Sequence, residues 1–244
     1  METNMILAKM LLGLSLLIPF QQASSTPTPP QIQPSVIESV HKSTLHIGQR
    51  TIVDGSVRCS ATAIGPHAIL TASHCEAASD KLFIEGFDDP LHIDKIERDE
   101  KDHSIYLLSG PAFSAFAPVD GYYAPKIGEH VFMIGNPGAW SGLYREGYVA
   151  GALDDDDDKT TLFVIAGWHG DSGAGVFNES GALIGVYGGR ATQGDPTDEI
   201  TFGYFYPLQF SKEQLYRAVS YAVKANASPL ESPAFRRGEY QGAK

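Results

Sequence analysis

Cysteine is scarce in this sequence of 244 residues, which contains only Cys59 and Cys75. Two cysteines without a matching histidine spacing do not supply the four ligands of a structural zinc site. We therefore expect neither a metal nor another cofactor.

Basic residues are also few, because 18 lysines and arginines face 29 aspartates and glutamates, giving a net charge of −11. Nucleic-acid-binding proteins concentrate positive charge on one face, so we expect no nucleic-acid partner. The hydrophobic share of 43% and the charged share of 19% are ordinary for a soluble globular protein.

Long hydrophobic runs are absent except near the N-terminus, where Lys9 precedes an apolar run over residues 10–20. These 11 residues are fewer than the roughly 20 that a membrane-spanning helix needs. The small residues Ala23 and Ser25 follow, which favours a secretory signal peptide over residues 1–25 and a secreted protein. The alternative is a retained membrane anchor. In a secreted protein Cys59 and Cys75 are expected to form a disulfide, with two buried thiols as the alternative.

Glycine and proline are abundant, with 25 and 15 residues, and they separate many strand-sized apolar segments. This pattern predicts an all-β fold. The expected order is a proline-rich linker over 26–39, a folded domain over 40–225, and a loose tail over 226–244. Within the domain we expect β segments over about 40–112 and about 128–210, joined by an irregular connection over 111–128, and an amphipathic helix over 211–225.

The segment "GWHGDSGAG" at 167–175 places Ser172 among small residues. Glycines leave a hydroxyl exposed and allow neighbouring N–H groups to converge, which is how an acyl-transfer nucleophile is presented. A glycine-rich turn between strands is the alternative. A serine nucleophile needs a base and a carboxylate that orients it. His74 in "ILTASHCE" and Asp102 in "EKDHSIYLL" are the candidates.

These motifs resemble the chymotrypsin (trypsin-like) family of serine proteases, in its compact microbial or viral type, over roughly residues 40–225. "TASHC" is similar to the family's TA-[AG]-HC motif, with Ser73 in the place of Ala or Gly, and "GDSG" at 170–173 matches its nucleophile motif. The resemblance implies two antiparallel six-stranded β-barrels followed by a C-terminal α-helix. It also implies that a Cys59–Cys75 disulfide staples the histidine turn to a neighbouring strand.

The resemblance assigns a role to each candidate residue. Ser172 would attack the scissile carbonyl, His74 would act as general base and then acid, and Asp102 would orient His74. The N–H groups of Gly170 and Ser172 would form the oxyanion hole. A G-x-S-x-G esterase motif is excluded, because Ala174 stands two residues after Ser172.

The sequence also departs from the family pattern. The triad spacings of 28 (74 to 102) and 70 (102 to 172) are short, which predicts trimmed surface loops. "TIVDG" is similar to the start of an activated zymogen, but Ile52 lies only 7 residues before Cys59, so we interpret it as an interior strand. Asp171 must then find a partner other than a new N-terminus, or be held by backbone donors.

Specificity is expected to differ from that of trypsin, because Ala166 stands six residues before Ser172 where trypsin has an aspartate. Gly167 and Tyr187 would line an open pocket. Gly188 and Gly189 would pair with the substrate backbone as an added strand. We expect a medium or large apolar side chain in this pocket, or glutamate if His169 contributes.

Several features are expected to be structural. The aspartate run over 154–158 is interpreted as a solvated loop, although it resembles an enteropeptidase site and could bind calcium weakly. We expect His103 to point away from the site. The other histidines are expected to be surface or locally bonded residues, and they are His41, His46, His67, His92 and His130.

The sequence predicts a monomeric serine endopeptidase acting on protein or peptide substrates. Two alternatives remain: a catalytically silent homologue that binds a protein partner, and a membrane-tethered processing protease.

Overall fold

The strand-sized apolar segments pair into two closed antiparallel barrels. A computed structural model describes residues 31–222 except 51–55, 77–78, 139, 156–157 and 196–197. The first barrel comprises β1 (Thr44–Arg50), β2 (Ser56–Gly65), β3 (Ala68–Thr71), β4 (Lys81–Ile84), β5 (Leu91–Arg98) and β6 (Ser104–Ser109). The second comprises β7 (His130–Gly135), β8 (Leu143–Asp155), β9 (Asp158–Phe163), β10 (Gly175–Asn178), β11 (Leu183–Asp195) and β12 (Asp198–Pro207).

The two barrels have the same topology of neighbouring strands. Their orders are β1-β2-β3-β6-β5-β4 and β10-β11-β12-β9-β8-β7. Closure pairs the first and last strands of each sheet, which reduces the hazard of edge-to-edge aggregation. The predicted all-β fold with two six-stranded barrels is confirmed.

Side-chain alternation along the strands decides which core each residue joins. On β4, Leu82 and Ile84 are buried while Lys81 and Phe83 are exposed, as expected for a strand with one solvated face. β7 is buried at all six positions. Its residues 131 and 133 pack inside the second barrel, whereas 132 and 134 join the core shared with the first barrel. β7 therefore lies at the junction of the barrels.

An N-terminal helix, α1 (Pro34–Ser43), corrects one prediction, because residues 34–39 were assigned to an extended linker. Proline is compatible with the first turn of a helix, since its missing N–H would have no intrahelical partner there. Val40 is 3% exposed, and a Cβ built on Gly181 would approach Val36 Cγ1 to 2.8 Å. α1 therefore packs against the turn between β10 and β11.

The C-terminal helix, α2 (Lys212–Val219), begins with a capping box, in which Ser211 and Gln214 bond each other's backbone N–H groups. It is shorter than the expected span of 211–225. The Ser220 N–H reaches back to the Tyr216 and Ala218 carbonyls, and the Tyr221 hydroxyl bonds Asp94 at 2.8 Å outside the helix.

The connection between the barrels contains no strand from residue 111 to residue 128. One bridge, Val119 to Leu183, attaches it to β11. In the part of the chain that the structure describes, no helix is long and apolar enough to cross a membrane. The predicted signal peptide and tail lie outside the described residues, as does "TIVDG".

Candidate active site

His74 lies in a short turn at the rim of the first barrel. β3 ends at Thr71, and a single 3₁₀ turn (Ser73–Cys75) follows. Cys75 closes this turn and forms a disulfide with Cys59 on β2, with 6.2 Å between the Cα atoms. The predicted disulfide is confirmed. It ties the histidine turn to the strand that pairs with β3.

Asp102 stands just before β6 and holds the histidine by two hydrogen bonds. Asp102 Oδ2 lies 2.6 Å from His74 Nδ1, and Oδ1 accepts from the His74 backbone N–H at 3.0 Å. The Asp102 carbonyl oxygen also accepts from the Ser73 N–H at 3.2 Å. The carboxylate therefore fixes both the position of the turn and the orientation of the ring.

The same contacts shift the pKa values of both His74 and Asp102. The hydrogen bond to Asp102 raises the pKa of His74 above its ordinary value and outweighs the opposing effect of burial. Burial by itself would raise the pKa of Asp102, but hydrogen bonds from the His74 ring and backbone lower it below the usual range. Asp102 is therefore ionised at neutral pH, and the cationic form of His74 is stabilised.

Ser172 is carried by the turn that precedes β10 and is held against the first barrel. The Ser60 N–H on β2 donates to the Ser172 carbonyl oxygen at 2.8 Å, and Cys75 Sγ lies 3.7 Å from that oxygen. Gly173 makes the close approach possible, since a Cβ there would fall 2.1 Å from the Ser60 carbonyl oxygen. The histidine turn and the serine turn thus meet through β2.

The hydrogen bonds of the described residues join His74 to Asp102, but none joins the Ser172 hydroxyl to the imidazole. Nucleophile–base hydrogen bonds are often long or poorly aligned before a substrate binds.

The peptide between His169 and Gly170 is oriented by a loop from the second barrel. The Gly138 N–H donates to the His169 carbonyl oxygen at 2.7 Å. In a trans peptide the C=O and the next N–H point in opposite directions, so the Gly170 N–H points away from that loop. Among the described residues, neither the Gly170 N–H nor the Ser172 N–H donates to a protein acceptor. Both predicted oxyanion donors are therefore available.

Gly170 is required by its backbone and by its neighbours. Its φ is +100°, a region that other residues rarely adopt. A Cβ at this position would lie 2.3 Å from the Asn136 carbonyl oxygen. This explains why the residue beside the nucleophile turn is glycine.

Ser60 is a buried residue that the sequence analysis missed. Its hydroxyl donates to the Gly170 carbonyl oxygen at 2.8 Å and accepts from the Asn136 N–H at 3.0 Å and Nδ2 at 2.9 Å. Asn136 Oδ1 accepts in turn from the Gly142 N–H. Ser60 therefore fixes the second peptide that flanks the oxyanion donors.

Replacing Ser60 by alanine is expected to lower kcat by about 10- to 100-fold, less than the loss of a direct oxyanion donor. The Gly170 carbonyl would lose its donor, which frees the peptide to rotate, while KM should change little. Steady-state kinetics on a peptide substrate measure both constants. Thr192→Ala removes an exposed hydroxyl on β11 and should leave kcat unchanged. An unchanged kcat in Ser60→Ala would contradict the positioning role.

Asp171 finds its partner in Arg145 on β8. The carboxylate is fully buried, and it receives Arg145 Nη1 at 2.7 Å, Arg145 Nη2 and the Trp168 N–H at 2.7 Å. Arg145 Nη1 also donates to the Ala166 carbonyl oxygen at 2.9 Å. The guanidinium thus links the nucleophile turn to the loop that precedes it. The sequence analysis left this partner open.

The trypsin-like peptidase domain model matches residues 59–186, which is more than half of the chain. The chain belongs to the trypsin-like peptidase domain family. It therefore carries a serine protease domain of the chymotrypsin-like fold. No curated protein sequence matches the chain.

Solved structures of the trypsin-like fold resemble the chain at low identity. A serine endoprotease from Yersinia pestis is 16% identical with a TM-score of 0.58, covering 74% of this chain and 63% of that protein. The chain thus spans less than two thirds of the length of that endoprotease. Rv3671c from M. tuberculosis H37Rv, in the inactive form of a serine-to-alanine mutant, is 19% identical with a TM-score of 0.58. This match covers 82% of this chain and 98% of that chain. At these identities the likeness shows the fold.

The predicted pocket residues of the trypsin-like domain lie on two segments beside Ser172. Ala166, Gly167 and His169 precede the nucleophile turn, and Tyr187, Gly188 and Gly189 lie on β11. The Gly173 N–H donates to the Tyr187 carbonyl oxygen at 2.9 Å, and the Tyr187 N–H donates to the Ala174 carbonyl oxygen at 2.8 Å. The structure therefore brings the two segments together. The ring of Tyr204 packs against both Gly188 and Gly189.

His103 is fully buried and lies outside the cluster of His74, Asp102 and Ser172. Its Nδ1 lies 2.6 Å from Asp99 Oδ2, and its ring packs near Tyr206 and Phe210. His130 is buried between Glu146 and Glu179. The aspartate run lies in the hairpin of β8 and β9, whose turn residues 156–157 are outside the described part, so its interpretation stays a prediction.

Proposed function

We propose that the protein is a secreted serine endopeptidase that hydrolyses peptide bonds through His74, Asp102 and Ser172. One observation carries this proposal. A half-buried carboxylate on the first barrel holds an imidazole that adjoins, through Ser60, a serine turn on the second barrel. Among the described residues, the Gly170 and Ser172 N–H groups of this turn donate to no protein acceptor. A binding module would need neither the carboxylate-held base nor the free donors.

In the proposed reaction, Ser172 Oγ attacks the scissile carbonyl carbon while His74 Nε2 takes the hydroxyl proton. The carbonyl oxygen becomes an oxyanion that accepts hydrogen bonds from the Gly170 and Ser172 N–H groups. The imidazolium then gives its proton to the leaving amine, and the C–N bond breaks to leave an acyl-enzyme. Water, deprotonated by His74, attacks this ester and releases the acid, with Ser172 reprotonated.

Asp102 acts through His74 in this scheme. By accepting from Nδ1–H it keeps Nε2 unprotonated in the resting state, so that Nε2 can receive the serine proton. Its charge then stabilises the imidazolium. No metal or organic cofactor takes part in the proposed steps.

The remaining parts of the proposal concern substrate and location. An extended peptide would pair with the backbone of Gly188 and Gly189 as an added strand. Secretion is supported by the N-terminal sequence of residues 1–25, and we propose a monomer acting on proteins or peptides. Nucleic acid is an unsuitable substrate for a chain of net charge −11.

The direct test is incubation of the purified protein with an unstructured protein such as β-casein, followed by mass spectrometry of the fragments. We expect internal cleavage at a restricted set of bonds, insensitive to EDTA and blocked by a fluorophosphonate. Intact casein in the presence of folded protein would contradict an endopeptidase and favour the catalytically silent homologue.

The pH dependence is expected to follow the ionisation of His74. The neutral imidazole is the active base, and its hydrogen bond to Asp102 raises its pKa above 6.5. The value of kcat/KM should therefore fall about tenfold per pH unit as the pH drops through a pKa above 6.5. A profile that stays flat down to pH 5 would contradict His74 as the base.

A further inference from the structure

We propose that the pocket beside Ser172 takes an acidic side chain at the residue before the scissile bond, with Arg190 supplying the charge and Tyr187 Oη a hydrogen bond. The inference rests on the proposed peptidase function and names its substrate class. Neither Arg190 nor the Tyr187 hydroxyl is required by the hydrolytic steps above.

The Tyr187 hydroxyl occupies the space beside Gly167 that a side chain at position 167 would otherwise fill. A Cβ built on Gly167 would fall 2.0 Å from Tyr187 Oη, so the phenol lies directly against the segment that precedes Ser172. The glycine is what leaves room for it. The phenol hydroxyl therefore lies directly behind Gly167, where a substrate side chain that reaches it would be favoured if it is polar.

The Tyr187 hydroxyl is buried and unsatisfied. The residue is 2% exposed, and Oη has no hydrogen-bond partner in the described part of the chain. Burial, reinforced by Asp171, raises the pKa of Tyr187 to about 12, so it remains a donor at neutral pH. A buried donor without an acceptor costs about 1–3 kcal/mol, and an acceptor from a bound ligand removes this cost.

Arg190 is a cation with no carboxylate partner in the part of the chain that the structure describes. Its guanidinium carbon lies 5.1 Å from the centre of the Trp168 ring, which holds it against the same segment of the pocket. No carboxylate among the described residues pairs with Arg190, although the chain carries 29 acidic residues. The positive charge of Arg190 lowers the pKa of the Tyr187 hydroxyl, although burial raises that pKa by more.

The charge of Asp171 reaches the Tyr187 hydroxyl and would act against a bound carboxylate, but the pairing of Asp171 reduces this effect. Asp171 is neutralised by Arg145 and the Trp168 N–H, and Ala166 supplies no charge. His169 packs against the Trp168 ring, with 5.7 Å between the ring centres. We therefore assign recognition of the acidic group to Arg190 and Tyr187, in preference to the His169 contact and the apolar side chain expected from the sequence.

The test uses the full protein and a matched series of fluorogenic tetrapeptides that differ only in the residue before the cleaved bond: Glu, Asp, Gln, Leu and Lys. We expect kcat/KM for Glu or Asp to exceed that for Gln and Leu by tenfold or more, with Lys the poorest. Arg190→Gln should reduce the Glu/Gln ratio of kcat/KM at least tenfold, and Tyr187→Phe should lower kcat/KM for both Glu and Gln relative to Leu. Arg217→Gln, on α2, is the matched control and should leave both ratios unchanged.

Two kinds of failure are distinguishable because each variant is also labelled with a fluorophosphonate. A protein that is labelled at Ser172 but cleaves the leucine peptide fastest, or none of the series, overturns the acidic preference alone. An unchanged Glu/Gln ratio in a labelled Arg190→Gln variant overturns the role of Arg190. A wild-type protein that is not labelled overturns the peptidase function and this inference together.

Discussion

Replacing Ser172 by alanine is expected to lower kcat by about 10⁴-fold or more while leaving the fold intact. Alanine removes only Oγ, and the contacts that hold the turn are made by the backbone, including the Ser60 N–H to the Ser172 carbonyl. The remaining rate would come from the oxyanion donors and substrate binding. Peptide hydrolysis under single-turnover conditions measures the loss.

The control for this prediction is Ser180→Ala, which removes a hydroxyl from the turn after β10. Circular dichroism and thermal unfolding should be the same for both variants and the wild type. A Ser172→Ala protein that keeps activity within tenfold of the wild type would exclude acyl transfer to this residue.

Replacing Arg145 by methionine is expected to have the largest effect on stability. The fully buried Asp171 would lose the bidentate guanidinium and keep only the Trp168 N–H in the described contacts. Leaving a buried charge without its partner costs about 3–5 kcal/mol of unfolding free energy. Because Asp171 adjoins Ser172, activity should fall with stability. Urea denaturation and peptide hydrolysis measure the two effects.

Two variants sharpen this prediction. Arg145→Lys keeps the charge but loses the bidentate contact with Asp171, so it should be more stable than Arg145→Met and less stable than the wild type. Lys42→Met breaks the exposed pair with Glu38 and should leave the urea midpoint unchanged. An Arg145→Met protein as stable as the wild type would mean that the pair with Asp171 does not hold the turn.

The Arg145–Asp171 pair also bears on activation. In activated zymogens the corresponding carboxylate pairs with a newly formed amino terminus, whereas here an internal guanidinium occupies that place. We infer that a chain with the bond before Ile52 intact is already competent for catalysis. N-terminal sequencing of active protein checks this inference.

The predictions from sequence succeeded where the signal was local. Strand-sized apolar segments, with Gly and Pro between them, were enough to predict an all-β fold in two units, because a strand's side-chain period is set by its own backbone. The two barrels were predicted from the family resemblance. The disulfide was predicted because the only two cysteines of a secreted protein are expected to pair. The contact between His74 and Asp102 was predicted from two sequence motifs, each of them only a few residues long.

The missed features depend on contacts between distant segments. Ser60 and Gly170 are 110 positions apart and Arg145 and Asp171 are 26 apart, and no spacing rule relates them. α1 was missed because prolines dominated the segment, although Val40 carries a buried contact. Arg190 could not be singled out from the sequence, because the sequence does not show which carboxylates lie near it. In the described residues no carboxylate pairs with it.

Covalent labelling tests most directly whether Ser172 is an activated nucleophile. The purified protein and its Ser172→Ala variant are incubated with a fluorophosphonate and analysed by intact mass and peptide mapping. We expect one adduct on Ser172 of the parent and none on the variant. A folded parent that takes up no adduct, or one that is modified at another residue, would contradict it.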